Sequence, residues 1–243
     1  MKPTPTSRRD RPPILAFGAH PDDIEFGCGG VIARETAAGC RVHFVVCSRG
    51  EAGTNGTPVQ RTAEARKGAA LLGATLEFLD LGGDAHIEVR RAPAIKLAAI
   101  IRRVRPGIVL APTPEENQHP DHAALGRLVR DASRLARYGG LRELKRRPAH
   151  TIGNLLFYAL TVEAEPAGRS TVFIDVSGTT AVWAAAMQAH RSQMRTRDYA
   201  GLQLARARVH GSRCGAQLAI PLFPADPLVF NSLEQLGRSA RHF

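Results

Sequence analysis

The chain is poor in cysteine, aromatic side chains and acidic side chains, and it has no long apolar run. Four cysteines in 243 residues are too few for a disulfide scaffold, and Cys28, Cys40, Cys47 and Cys214 form no CxxC pair, which argues against a cysteine-based zinc site. Aromatic residues make up 5% of the chain, so stacking platforms for single-stranded nucleic acid are scarce. No apolar stretch approaches the roughly 18 residues needed to cross a bilayer. Residues 1–13 are polar, basic and proline-rich and lack the apolar centre of a signal peptide. The expectation is a cytoplasmic, reducing setting without membrane insertion. Against 22 Asp plus Glu stand 33 Lys plus Arg, a formal charge of +11. Such a balance suits nucleic acid, anionic surfaces or acidic small molecules, and selects none of them. What is present, 44% apolar and 23% charged residues, is the composition of a globular chain able to bury a sizeable core.

Short apolar runs alternate with helical patterns. Strands are expected over 14–19, 41–47, 76–81, 107–111, 154–160 and 171–176. Helices are expected over 29–38, 58–72, from 93, over 122–137 and over 180–191. This alternation predicts an α/β, Rossmann-like open sheet, mostly parallel, with helices on both faces. A flexible basic tail (1–12) precedes a single domain (13–243). Its part from about 150 adds later strands, a helix and an irregular tail, beyond a charged connection at 142–148. Residues 213–243 carry several prolines and little periodicity.

Two loops that follow predicted strands carry the same chemistry: His20-Pro21-Asp22-Asp23 and His119-Pro120-Asp121-His122. In open α/β sheets the functional crevice lies outside the carboxyl ends of the strands. His20, Asp23 and His122 would supply two imidazoles and a carboxylate, a three-ligand set that leaves room for water, as in catalytic zinc sites. A zinc ion there lowers the pKa of its water to about 7. Asp22, next to a ligand but turned from it, is the candidate general base. His119, as an imidazolium, could stabilise an oxyanion, with Asp121 hydrogen-bonded to its other nitrogen. The same donor set also suits Fe2+ or another divalent metal.

These loops, with Glu25 and Gly27 to Gly30, resemble the LmbE-like or PIG-L family of zinc-dependent de-N-acetylases, and Ala189-His190-Arg191-Ser192-Gln193 is similar to a late signature of that family. The resemblance implies a Rossmann-type fold and hydrolysis of the acetamide of an N-acetylglucosamine-type sugar or conjugate. It implies Zn2+ on His20, Asp23 and His122, Asp22 as base and then acid, His119 at the oxyanion and Asp121 behind it. It further implies a mobile substrate loop at 49–53 containing Glu51, a substrate contact from Arg61, and a homo-oligomer, trimer or hexamer. In bacillithiol-pathway relatives an arginine near the start of a later strand partners the base; here Thr151 stands there, with Arg146 and Arg147 as alternatives. Gln118 stands where those relatives often carry arginine.

Other features carry competing readings. Gly27-Cys28-Gly29-Gly30 could cradle a phosphate, but close packing of a helix on the sheet is the stronger reading. Arg127, Arg130, Arg134 and Arg137 fall on one helical face, a nucleic-acid stripe or a solvated face. A basic nucleic-acid-binding module and a non-catalytic, metal-bearing sugar-binding protein are therefore the alternatives to the hydrolase, with no specific nucleic-acid partner expected.

Overall fold

The computed structural model describes residues 12–116, 119–168 and 170–240. All but the last residue of the expected tail at 1–12, and Gln118, lie outside the described residues. The elements run β1 (Ile14–Gly18), α1 (Asp23–Ala37), β2 (Val42–Val46), α2 (Pro58–Leu71), β3 (Thr75–Phe78), α3 (Arg91–Val104), β4 (Ile108–Pro112), α4 (Pro120–Ala136), β5 (Asn154–Tyr158), β6 (Val172–Asp175), α5 (Thr180–Gln188), α6 (Tyr199–Cys214) and β7 (Ala219–Pro224).

Seven strands form one sheet in the order β3-β2-β1-β4-β5-β7-β6. The first five pair in parallel, and β7 runs antiparallel to both neighbours. The expected open, mostly parallel α/β sheet is therefore present, closed on one side by an antiparallel pair. From β1 the chain winds outward through β2 and β3, then returns to the other side of β1 as β4. At such a reversal the connections diverge and leave a crevice at the carboxyl ends of β1 and β4.

Both faces of the sheet are covered, which explains why β1 is apolar throughout rather than alternating. Leu15 and Phe17 pack with Leu97, Ile101, Leu125 and Val129 of α3 and α4. Ile14 and Ala16 belong to the opposite cluster, with Ile24, Ile32, Trp183 and Met187 of α1 and α5. No helix among the described residues is long and apolar enough to cross a membrane.

Helix α1 starts at Asp23, not at 29 as the pattern suggested. Its first turns are glycine-rich and so have poor intrinsic helix propensity; packing holds them instead. A Cβ at Gly27 would lie 2.2 Å from the Tyr158 ring, and one at Gly29 would lie 2.8 Å from Trp183. The glycine cluster thus serves close packing. The C-terminal region holds more structure than expected. Helix α6 was not anticipated, although Asp198 caps it by accepting the Gly201 N–H at 2.8 Å and Gly215 ends it at φ 68°. Strand β7 contains Pro221 and Pro224, which demote a strand in any sequence pattern, yet all six of its residues are buried. Helix α5 ends at Gln188, short of the expected 191, so the His190–Gln193 segment follows it rather than lying on it.

Candidate active site

Strand β1 runs directly into the crevice, and the turn to α1 is tight. Asp22 adopts φ 122°, ψ −26°, a left-handed conformation that is unfavourable for a residue with a Cβ. Such backbone strain costs on the order of 1–3 kcal/mol and persists only where its surroundings enforce it. Asp23 is the first residue of α1. Its Oδ2 accepts the Ala19 N–H at 2.7 Å and the His20 N–H at 2.9 Å. Its Oδ1 lies 3.1 Å from His122 Nε2. Although burial acts to raise the Asp23 pKa, His122 and His20 outweigh it and hold the carboxyl well below its ordinary value.

His122 sits in the first turn of α4. That helix approaches the end of β4 closely at Gly126, where a Cβ would meet the Pro112 carbonyl oxygen at 2.4 Å. His20 Nδ1 lies 3.2 Å from His122 Nε2 and 3.7 Å from Asp23 Oδ2. Bonds of about 2.0–2.1 Å to a tetrahedral zinc place its ligand atoms roughly 3.3 Å apart. The three donors therefore converge at ligand spacing, and all three residues are buried. They fit a divalent cation.

Asp22 projects beside this set. Burial, opposed by the Arg61 charge and reinforced by Asp23, pushes its carboxyl up to about 6. Arg61 NH2 lies 3.5 Å from Asp22 Oδ2 and donates to the Pro21 carbonyl at 3.2 Å. The arginine beside the candidate base is therefore Arg61 from α2. The segment holding Arg146, Arg147 and Thr151 lies at the other end of the sheet: the Arg147 carbonyl accepts from Arg102, and His150 Nε2 lies 2.8 Å from the Pro106 carbonyl ahead of β4. Arg61 is 5% exposed, and a Cβ at Gly50 or Gly53 would collide with its guanidinium. The glycines of the 49–53 loop thus make room for a buried arginine.

His119 and Asp121 reach the site in an arrangement different from the expected one. His119 Nδ1 accepts the Asp121 backbone N–H at 3.3 Å, which directs Nε2 as the donor toward Asp84 Oδ1, 3.5 Å away. Burial, helped by His20 and His122, lowers the His119 pKa, which works against the expected imidazolium. The Asp121 carboxylate lies 3.3 Å from His20 Nε2 and accepts the Ala85 N–H at 2.8 Å and the Ile87 N–H at 3.3 Å. It therefore orients the His20 imidazole and pins the loop beyond β3, rather than pairing with His119 as expected.

That loop brings in a residue no motif marks. Asp84 is 4% exposed, 3.1 Å from His20 Nε2 and 3.8 Å from an Arg61 nitrogen. The chain reaches it through Gly82 (φ 116°) and Gly83 (φ 93°), and that glycine pair past β3 was its sequence signal. Glu51 is exposed and accepts the N–H groups of Arg49 and Asp84, so its carboxylate braces two loops. Behind them, Ser192 bonds Glu64 through its N–H and hydroxyl, and Gln193 donates to the Asn55 carbonyl at 2.8 Å. The late signature thus anchors the 48–57 segment. All four cysteines are free.

Known proteins share this architecture. The family model of GlcNAc-PI de-N-acetylase, PIG-L, matches residues 15–133, which include both histidine loops. Diacetylchitobiose deacetylase of Thermococcus kodakarensis is 30% identical over 196 residues, covering 74% of this chain and 69% of the relative. The crystal structure of a conserved protein from Thermus thermophilus superposes with a TM-score of 0.80 at 31% identity, covering 89% of this chain and 96% of that one. A 4-oxalmesaconate hydratase of Pseudomonas putida is 30% identical over 138 residues, about half of each chain. Fold, matched loops and the extent of these likenesses together place this chain in the PIG-L family of de-N-acetylases.

Proposed function

We propose that the protein removes the N-acetyl group from an N-acetylglucosamine-type sugar or sugar conjugate, with a divalent cation, Zn2+ first among candidates, on His20, Asp23 and His122. The observation that carries this reading is the convergence of two imidazoles and a carboxylate within 3.1–3.7 Å at the end of β1. The cation would supply Lewis-acid chemistry to the acetyl carbonyl and the attacking water. Asp22 takes the proton from the water and returns it to the departing amine nitrogen, leaving acetate and a free amino sugar. Its raised pKa suits both roles, since the group must be a base in one step and an acid in the next. Neutral His119 offers its Nε2–H to the oxyanion. Arg61 and Asp84, buried side by side with Arg61 Nε unpaired, are the groups this reading assigns to sugar hydroxyls. The diacetylchitobiose deacetylase at 30% identity supports the substrate class.

A hydratase of the same family favours a second reading, water addition to an unsaturated acid, which needs the same base and acid. A direct test measures metal content after purification without added metal, then free-amine release from a panel of N-acetylglucosaminides. Amine release that depends on a stoichiometric cation is expected. A loaded enzyme that hydrates an unsaturated dicarboxylate and releases no amine would transfer the chain to the second reading. The homo-oligomer belongs to the same proposal and is read from sedimentation.

A further inference from the structure

Glu25 and His190 stand behind the base, and the proposed chemistry uses neither. Glu25 lies in the first turn of α1, just after Asp22, and is 2% exposed; His190, just past α5, is 0% exposed. Glu25 Oε1 lies 3.2 Å from His190 Nε2. A third element closes on the pair. Arg61, Glu64 and Gly68 fall on one face of α2. Arg61 lies beside Asp22, Glu64 accepts from Ser192, and a Cβ at Gly68 would lie 2.5 Å from Glu25 Oε1 and 3.1 Å from His190 Nε2. We propose that Glu25 and His190 are positioning residues for Asp22: their ion pair locks the first turn of α1 onto α2 and the segment after α5, and so holds the base in place beside Arg61.

Asp22 needs such a lock, because its φ of 122° persists only where the neighbouring chain enforces it. On one side of the turn, the Asp23 carboxylate ties down the Ala19 and His20 N–H groups. On the other, the Asp22 carbonyl accepts the Phe26 N–H at 2.9 Å. Glu25 is held at both ends, its carbonyl by Trp183 Nε1 at 2.7 Å and its carboxylate by His190. His190 is fixed in turn: its N–H donates to the Met187 carbonyl at 3.1 Å, and its carbonyl accepts the Gln193 N–H at 3.0 Å. Burial acts to lower the His190 pKa, but the Glu25 carboxylate, with Asp22 and Glu64, prevails and raises it, which works toward a charged ring. A buried ion pair adds little stability over apolar groups of similar volume. Its directed contact fixes one arrangement where an apolar contact tolerates sliding, and a misplacement of about 1 Å at a reacting group costs on the order of 10²-fold in rate.

The inference rests on Asp22 as the base, as proposed above, and the test separates the two. Kinetics of the zinc-loaded enzyme on an N-acetylglucosaminide are compared with bound zinc and the urea midpoint. Glu25→Met/His190→Leu replaces the pair by apolar groups. It should lower kcat by about tenfold or more, leave KM within about twofold and keep the bound zinc. In an Asp22→Asn background the same replacement should change the residual turnover less than about twofold, because its effect passes through Asp22. A merely structural pair would instead lower the urea midpoint and leave kcat of the folded protein at the wild-type value. His190→Gln, which still reaches Glu25 with an N–H, should keep kcat within about threefold of wild type. His190→Asn ends short of Glu25 and should show the full loss; it carries the test should the paired variant not fold. Full turnover in Asp22→Asn would overturn the proposed mechanism. Lost turnover in Asp22→Asn together with wild-type kcat in the folded Glu25 and His190 variants would overturn this inference alone. So would loss of zinc from the paired variant, or an equal further drop in the Asp22→Asn background.

Discussion

Two buried arginines show how differently this molecule treats its two ends. Arg102, 2% exposed on α3, donates to four carbonyl oxygens at 2.6–3.0 Å: Ala136 and Tyr138 at the end of α4, and Leu144 and Arg147 beyond it. It closes the helix end of α4 and the connection to β5, replacing with donors what an exposed helix end would take from water. Arg61, 5% exposed, makes only long contacts to Pro21, Gly50, Asp22 and Asp84, at 3.2–3.8 Å, and its Nε has no partner. Charge is buried equally at both places, but only one is satisfied. A cation saturated by backbone is part of the scaffold. A cation with unspent hydrogen bonds beside two carboxylates, next to the strained backbone of Asp22, is the arrangement that the proposed ligand site calls for.

Four substitutions would break or sharpen that contrast. Asp22→Asn should lower kcat by about 10²–10⁴-fold with metal content and the urea midpoint unchanged, which separates the chemistry at the strained turn from its folding. Arg102→Met should do the reverse. Four carbonyls lose their donor, destabilising the fold by about 3–5 kcal/mol in urea titrations, while kcat of the folded fraction stays at the wild-type value. Arg61→Met should lower kcat/KM on the order of 10²-fold and cost less than half the stability lost in Arg102→Met. Equal losses of stability in the two arginine variants would erase the distinction.

The smallest effect is expected at a third ionic cluster. Glu165 accepts from Arg206 Nε and lies 2.8 Å from His210 Nε2, tying α6 to the segment after β5. Burial acts to raise its pKa, but the His210 hydrogen bond and the Arg206 charge prevail, so the carboxyl titrates below its ordinary value. A depressed folded-state pKa means stabilisation that is present above the ordinary glutamate range and fades as pH falls through the folded value. Glu165→Gln should therefore lower stability by about 1–3 kcal/mol at neutral pH, with the gap to wild type closing in acid. A gap that widens in acid would contradict the assignment.

The centre of the parallel half was legible because β1 and β4 are buried on both faces and read as unbroken apolar runs bounded by glycine or proline, whereas the edge strand β3 is only partly buried and carries Glu77. The two histidine loops were legible because position after a strand already fixes which end of the sheet they reach. Less visible was the start of α1, since glycine at 27, 29 and 30 weakens the local signal that contact with Tyr158 and Trp183 restores. Strand β7 was hidden by its prolines. The site was half visible: His20, Asp22, Asp23 and His122 share short motifs, whereas Asp84 arrives on a loop with no pattern beyond a glycine pair. Arg61 was named in the sequence for substrate contact, and Thr151 marked the place where a partner for Asp22 was sought; geometry puts Arg61 itself beside Asp22. His119 was expected as an imidazolium, and burial, more than any one neighbour, acts against that charge.

By itself the sequence determined the α/β alternation, the two loops and the donor types they carry, because hydrophobic periodicity and residue chemistry are local properties. The tertiary structure decided which side chains from different loops share one space: Arg61 with Asp22, Asp121 with His20 and the Ala85 turn, Asp84 with both histidine loops. Those pairings depend on how far burial and packing bring distant segments together, and a through-space field of a few ångströms leaves no trace in residue order.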